Sequence, residues 1–275
     1  MNDEHRVSRF RDAGEDIRHA RELPDTPQGR SPSYQLAYAD SDFLLRDDMR
    51  PVRLMLELQK TETLLSEHGI ESTVILFGSA RVPAPDATEP PNRPSTAPLT
   101  HWYQEARRFA HLVTERSVAQ QNRQFVVCTG GGPGIMEAGN RGAQEAGGVT
   151  IGLNIVLPHE QEPNPYVTPD LCFNFHYFAI RKMHFLMRAR TIAVFPGGLG
   201  TLDEMFEAIT LIQTGRMKRI PVLLFHRAFW EKLINWDTLV EAGTIAPQDL
   251  DLITYVETAE EALAVMDGWN DGQGC

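Results

Sequence analysis

The chain has 275 residues, 42% hydrophobic and 23% charged, which suits a soluble α/β domain with an extension and supplies enough apolar material for a sizeable core. A formal net charge of -11 argues against a broad nucleic-acid or anionic-membrane surface, so an anionic ligand must be held locally, by helix ends and a few arginines. No stretch approaches the roughly 18 apolar residues of a membrane span, and residues 1–6 lack the apolar core of a signal peptide. Cys128, Cys172 and Cys275 fit neither a zinc site nor a disulfide framework. A cytoplasmic, reducing location is therefore expected, with no metal, no cofactor, and Cys128 and Cys172 as buried inert thiols.

In chain order, residues 1–48 read as a charged, partly disordered arm broken by Pro24, Pro27 and Pro32. A single domain is expected over residues 49–270, opening with a helix that carries Val52, Leu54, Met55, Leu58, Leu64 and Leu65 at helical spacing. Residues 72–77 form a strand ending in Gly78-Ser79-Ala80-Arg81, and residues 83–98 a proline-rich surface loop. A helix over residues 101–118 leads to a strand at 125–129 and the loop Gly130-Gly131-Gly132-Pro133-Gly134. From that loop a helix runs over 133–146, with Pro133 suited to its first position. Strands at 149–155 and 171–175 precede a helix at 177–190, then a strand at 191–195 and a third loop, Pro196-Gly197-Gly198-Leu199-Gly200. After the following helix come a strand at 221–225, a helix at 228–241, a strand at 253–256 and a last helix from Ala259. Strands alternating with helices predict an α/β, Rossmann-like, mostly parallel sheet covered on both faces. Ligands bind such sheets at the carboxyl ends of the strands, so the three loops are expected to line one crevice.

The loops exclude two familiar sites. Ile135 occupies the third glycine position of a dinucleotide fingerprint begun at Gly130, and no G-x-x-x-x-G-K-[ST] loop occurs. What remains suits a monophosphate and a ribose: glycines let the backbone approach a ligand while the first helical N–H groups face it. Thr201-Leu202-Asp203-Glu204 also has the form of a capping box, in which Thr201 caps the helix and Glu204 bonds back to it. The same pattern recurs at Thr258-Ala259-Glu260-Glu261 without a glycine loop, so spacing alone does not give Glu204 a chemical task. Arg181 and Lys182 lie on a helix just before the motif strand, which directs Arg181 toward the crevice, while His176 and His184 are read as structural.

Pro196-Gly197-Gly198-Leu199-Gly200-Thr201-Leu202-Asp203-Glu204, together with residues 130–138 and Arg181-Lys182, resembles the Lonely Guy family of cytokinin riboside 5′-monophosphate phosphoribohydrolases, long labelled lysine decarboxylases. The resemblance covers about residues 73–266, and the version Gly-Gly-Gly-Pro-Gly-Ile-Met-Glu is similar to a bacterial subgroup of larger oligomers. It implies a homo-oligomer, at least dimeric, that cleaves the N-glycosidic bond of a nucleoside 5′-monophosphate such as AMP to free base and ribose 5-phosphate. It implies Arg181 and Glu204 as the catalytic pair. Substrate would be held by Ser79, Gly131, Gly132, Gly134, Met136, Glu137, Lys182, Gly197, Gly198, Gly200 and Thr201. Glu204 is suited to stabilising an oxocarbenium-like ribose; Arg181 could hold Glu204 ionised, position the phosphate or contact the base. A non-catalytic nucleotide sensor or carrier using the same crevice is the alternative.

Overall fold

The computed structural model describes residues 12–21, 25–85, 98–158 and 162–272, so Cys275 and most of the expected proline-rich loop at 83–98 lie outside the described residues. The chain divides into two compact units, Met1–Glu57 and Leu58–Cys275, the boundary falling within a helix. The first unit holds α1 (Ala13–Arg21), α2 (Ser41–Leu44), short 3-10 turns and the start of α3 (Arg50–Glu67). Its order is local: Arg53 donates to the carbonyls of Leu44 at 2.7 Å and Arg46 at 2.6 Å, fastening the segment before α3 onto that helix.

The second unit is built on seven strands: β1 (Thr73–Phe77), β2 (Val126–Thr129), β3 (Thr150–Ile155), β4 (Cys172–Phe175), β5 (Ala189–Val194), β6 (Val222–Phe225) and β7 (Thr254–Val256). They pair in the order β4-β3-β2-β1-β5-β6-β7, and all six pairings are parallel. The strands alternate with α4 (Thr100–Ala119), α5 (Ile135–Glu145), α6 (Phe178–Met187), α7 (Leu199–Gln213), α8 (Arg227–Leu233), α9 (Trp236–Glu241) and α10 (Ala259–Gly272). Central strands buried on both faces must be apolar throughout, as the fully buried Thr-Val-Ile-Leu-Phe of β1 is. Val74 and Leu76 pack with Tyr103, Phe109 and Val113 of α4, Ile135 of α5 and Met266 of α10. Phe77, on the opposite face, meets Phe185 of α6 edge-on at 5.0 Å.

The strand order reverses between β1 and β5, and that switch point is where a crevice opens at the carboxyl end of such a sheet. The loops after these strands are tied there, Ser79 donating its N–H to the Pro196 carbonyl at 3.1 Å.

Four expected element boundaries are corrected. α5 begins at Ile135, and its N-cap is Gly134, so Pro133 stands outside the helix. Gly134 adopts φ +70° with the Ser79 and Ala80 backbone packed against it, a place no side chain can occupy without strain. The helix expected to run to residue 190 stops at Met187. Arg188 instead feeds β5: its carbonyl accepts from Thr73 N–H at 2.8 Å and its guanidinium grips both Glu62 oxygens at 2.7 Å. The expected helix over 228–241 is two helices, because Asn235 turns the chain and caps α9 by accepting from Thr238 N–H at 3.3 Å. Finally, α7 starts at Leu199 with Gly198 as its N-cap, so Thr201 lies inside the helix and caps nothing. Cys128 is buried as expected, but Cys172 is half-buried. Among the described residues no helix is long and apolar enough to cross a membrane.

Candidate active site

A cleft of about 610 Å³ opens at the switch point, and residues of all three loops line it. Ser79, Gly132, Met136, Gly198, Gly200, Thr201, Arg181 and Glu204 stand on its wall, together with Gly130. Two helices begin there, α5 and α7, and no side chain caps either. At α5 the Ile135 N–H donates to the Ser79 carbonyl at 3.1 Å, whereas the first N–H groups of α7 have no side-chain acceptor among the described residues, an arrangement suited to an anion.

Arg181 and Glu204 form the polar centre. α6 delivers Arg181 and the first turns of α7 deliver Glu204, with Arg181 Nη1 3.2 Å from Glu204 Oε1. Both side chains are largely withdrawn from water, at 9% and 16% exposure. Arg181 is held in place from three further directions. Its Nε donates to the Leu153 carbonyl at 2.6 Å, its guanidinium lies 4.9 Å from the Phe185 ring centre, and its outer nitrogen packs where a side chain on Gly130 would stand. Any side chain at Gly130 would push the guanidinium off this seat.

Burial opposes the ionisation of both members of the pair. Desolvation pushes the Glu204 carboxyl up to about 7, against the pull of Arg181 and with a further push from Asp203. The Arg181 guanidinium is lowered by its own burial and supported by Glu204. A carboxyl with that pKa changes its proton near neutral pH, where acid–base and charge-stabilising work is most efficient.

Five of the residues expected to touch substrate do not stand on the cleft wall, among them Gly134, which is packed against the Ser79 and Ala80 backbone. Lys182 instead reaches Asp203 at 3.1 Å and Glu207 at 2.9 Å, and so bridges α6 to α7. Glu137 accepts from the Tyr103 hydroxyl at 2.7 Å, anchoring α5 to α4. Gly197 leaves room for the Thr201 side chain folded beneath it. Gly131 is covered by Asn154. Conversely Arg81, Asn154, Ile155, Leu157, Phe178 and Leu199 line the cleft without having been singled out as substrate residues. Arg81 was legible as part of the first loop; Asn154 could have been found as a polar residue near the end of the apolar strand β3. His176 is exposed and His184 is buried beside the Phe175 ring, where desolvation lowers its pKa. Among the described residues no three His, Cys, Asp or Glu side chains gather as metal ligands.

A family model described as "possible lysine decarboxylase" matches residues 136–266, a span that contains Arg181, Lys182 and the whole glycine motif before Glu204. A cytokinin riboside 5′-monophosphate phosphoribohydrolase of Mycobacterium tuberculosis is 27% identical over 154 residues, 55% of this chain and 82% of its own. One from Arabidopsis thaliana is 27% identical over 139 residues, 50% of this chain and 63% of its own. Over this span the chain is similar to the Lonely Guy family. It thus spans less than two thirds of the length of the Arabidopsis member. A molybdenum cofactor binding protein from Rippkaea orientalis has a similar structure, with TM-score 0.47 and 18% identity over 72% of this chain and 96% of its own. The older label of the Lonely Guy family calls for a lysine able to form a Schiff base. Among the described residues no lysine lines the cleft, and Lys182 is held by two carboxylates.

Proposed function

We propose that this protein hydrolyses the N-glycosidic bond of a nucleoside 5′-monophosphate, AMP or a cytokinin riboside 5′-monophosphate, releasing the free base and ribose 5-phosphate. The observation that carries the reading is the buried Arg181–Glu204 pair beside the uncapped N-terminus of α7. In this reading the phosphate occupies that helix end and the glycosidic carbon faces Glu204. As the C1′–N bond lengthens, positive charge grows on the ribose, and an ionised carboxylate at that point lowers the barrier. Water supplies the new C1′–O bond and the departing base takes up a proton. Arg181 favours the ionised carboxylate, since it opposes the burial that would otherwise keep Glu204 protonated. The names of the curated relatives support the substrate class.

The test is a chromatographic product assay over a panel of nucleoside 5′-monophosphates. Free base and ribose 5-phosphate in equal amounts are expected, with nucleosides lacking phosphate much poorer substrates. Nucleotide binding with no base released from any member of the panel would make the protein a carrier or sensor. The same reading takes the chain as a homo-oligomer, supported by the exposed Phe178, Met183 and Met187 of α6. Sedimentation at micromolar concentration checks this, and a monomer would overturn it.

A further inference from the structure

Gly131, which the glycine motif offers as a ligand-binding position, has its backbone fully engaged. Its N–H donates to Thr129 Oγ1 at 3.0 Å, and its carbonyl accepts from the Asn164 N–H at 2.8 Å and Asn164 Nδ2 at 3.1 Å. Asn164 Nδ2 also reaches the Gly132 carbonyl at 2.9 Å and Asn140 Oδ1 at 2.9 Å. Asn140 in turn accepts from Thr129 Oγ1 and donates to Thr150 Oγ1, both at 2.7 Å. The loop is thus locked from behind by a buried polar network that leaves nothing of Gly131 for a ligand.

Asn154 stands in front of it. This residue is next to last in β3 and lines the cleft, and its carboxamide rests against Gly131, whose positive φ of +73° and missing side chain make the room. Asn154 Nδ2 donates to the Phe173 carbonyl at 3.1 Å and approaches Cys172 Sγ at 3.4 Å, both on the neighbouring strand β4. A carbonyl can only accept, so this contact fixes which end of the amide is nitrogen. The Oδ1 rests against Gly131 at the wall of the cleft that Asn154 lines, with no donor among the described residues. Leu153, the preceding residue, supplies the carbonyl that seats Arg181. An oriented, unspent acceptor therefore stands one residue from the anchor of the catalytic pair.

The geometry points to Asn154 as a specificity-determining residue, whose Oδ1 accepts a hydrogen bond from a donor on the bound nucleotide, either a ribose hydroxyl or an exocyclic amine of the base. This rests on the nucleotide-hydrolysis reading. An acceptor held in place by its own amide nitrogen discriminates well, because a ligand lacking the donor leaves it unpaired in the closed site.

The experiment compares AMP, 2′-deoxyAMP and purine riboside 5′-monophosphate as substrates for the wild type, Asn154→Leu and Asn154→Ala. The wild type is expected to favour AMP by about tenfold or more over one of the two analogues, the worth of a lost neutral hydrogen bond. Both variants should bring that ratio to within about twofold. Loss of discrimination against the deoxy analogue assigns the donor to the ribose, and loss against the purine analogue assigns it to the amine. The ratio is taken within each variant, so a partly unfolded preparation does not imitate the result. Equal handling of all three nucleotides by the wild type, or unchanged discrimination in both variants, overturns the proposal. If the wild type releases no base from AMP, the hydrolytic reading fails on its own; the same ratios measured by calorimetry then still decide the role of Asn154.

Discussion

Thr201-Leu202-Asp203-Glu204 and Thr258-Ala259-Glu260-Glu261 share one sequence pattern and have opposite structures. At α10 the pattern is a cap. Thr258 Oγ1 accepts from Glu261 N–H at 3.2 Å, the Glu261 carboxylate accepts from Glu257 N–H at 2.8 Å, and Glu105 of α4 reaches Ala259 N–H at 2.8 Å. Every one of these contacts uses a side chain of the protein, so that helix end is closed. At α7 the helix starts two residues before Thr201, no side chain caps it, and the glutamate turns inward to Arg181. What separates the two is the preceding loop and its place in the sheet. β7 is an edge strand, whereas β5 adjoins β1 at the switch point and is followed by Gly197 and Gly198. The α7 end is left open by side chains beside a carboxylate that burial has made reluctant to ionise, whereas the α10 end is filled by them.

The comparison breaks most directly at the two glutamates. Glu204→Gln should lower kcat by about a thousandfold or more while nucleotide affinity by calorimetry stays within a few-fold, in line with losing a group that acts in the transition state. Glu261→Gln should leave both constants unchanged. Full activity in Glu204→Gln would remove the carboxylate from the mechanism.

A second effect is on pH. If the ionised carboxylate does the work, kcat/KM should rise about tenfold per pH unit below about 7 and level off above. Arg181 lowers the Glu204 pKa, so Arg181→Met should carry that limb to higher pH besides reducing the rate. A limb left in place would mean that Glu204 does not govern it.

Stability should follow with a defined sign. The folded-state pKa of Glu204 lies above its ordinary 4.5, so its contribution to stability is fully present below pH 4.5 and is lost as pH rises to about 7. The difference in stability between Glu204→Gln and the wild type should accordingly grow across that window in favour of the variant, by about 3 kcal/mol at most, and be flat above it. Denaturant midpoints at pH 5, 6, 7 and 8 measure it, and a difference that shrinks with pH would contradict the assignment.

The smallest effect belongs to the caps. Thr258→Ala should cost about 1 kcal/mol of stability with kinetics untouched. Thr201→Ala should instead raise KM, because Thr201 lines the cleft and caps nothing. Equal stability losses with no change in KM for either would erase the distinction between the two helix ends.

Several boundaries were not legible for a common reason, that a long-range partner outbid a local pattern. Residues 177–190 keep helical character to the end, yet Arg188 leaves the helix because Glu62 and the Ile70 carbonyl hold its guanidinium. The apolar spacing of 228–241 crosses Ile234 and Asn235 without a break, while the Asn235 side chain begins a new helix there. Lys182 was adjacent in sequence to the right arginine, but successive residues on a helix face different ways, and it meets Asp203 and Glu207 instead of the cleft.

The chain's sequence by itself determined the parallel α/β architecture, since buried strands must be continuous apolar runs and the helices between them amphipathic. It also pointed to the three strand-end loops that line the cleft, because glycine-rich strand-to-helix turns recur there. Which of those residues line the cleft was decided by tertiary structure alone. Gly131 is covered by Asn154, Glu137 is taken by Tyr103, and Glu204 owes its high pKa to being buried between two helices. Desolvation and orientation arise from what packs around a group, and no spacing along a chain encodes that locally.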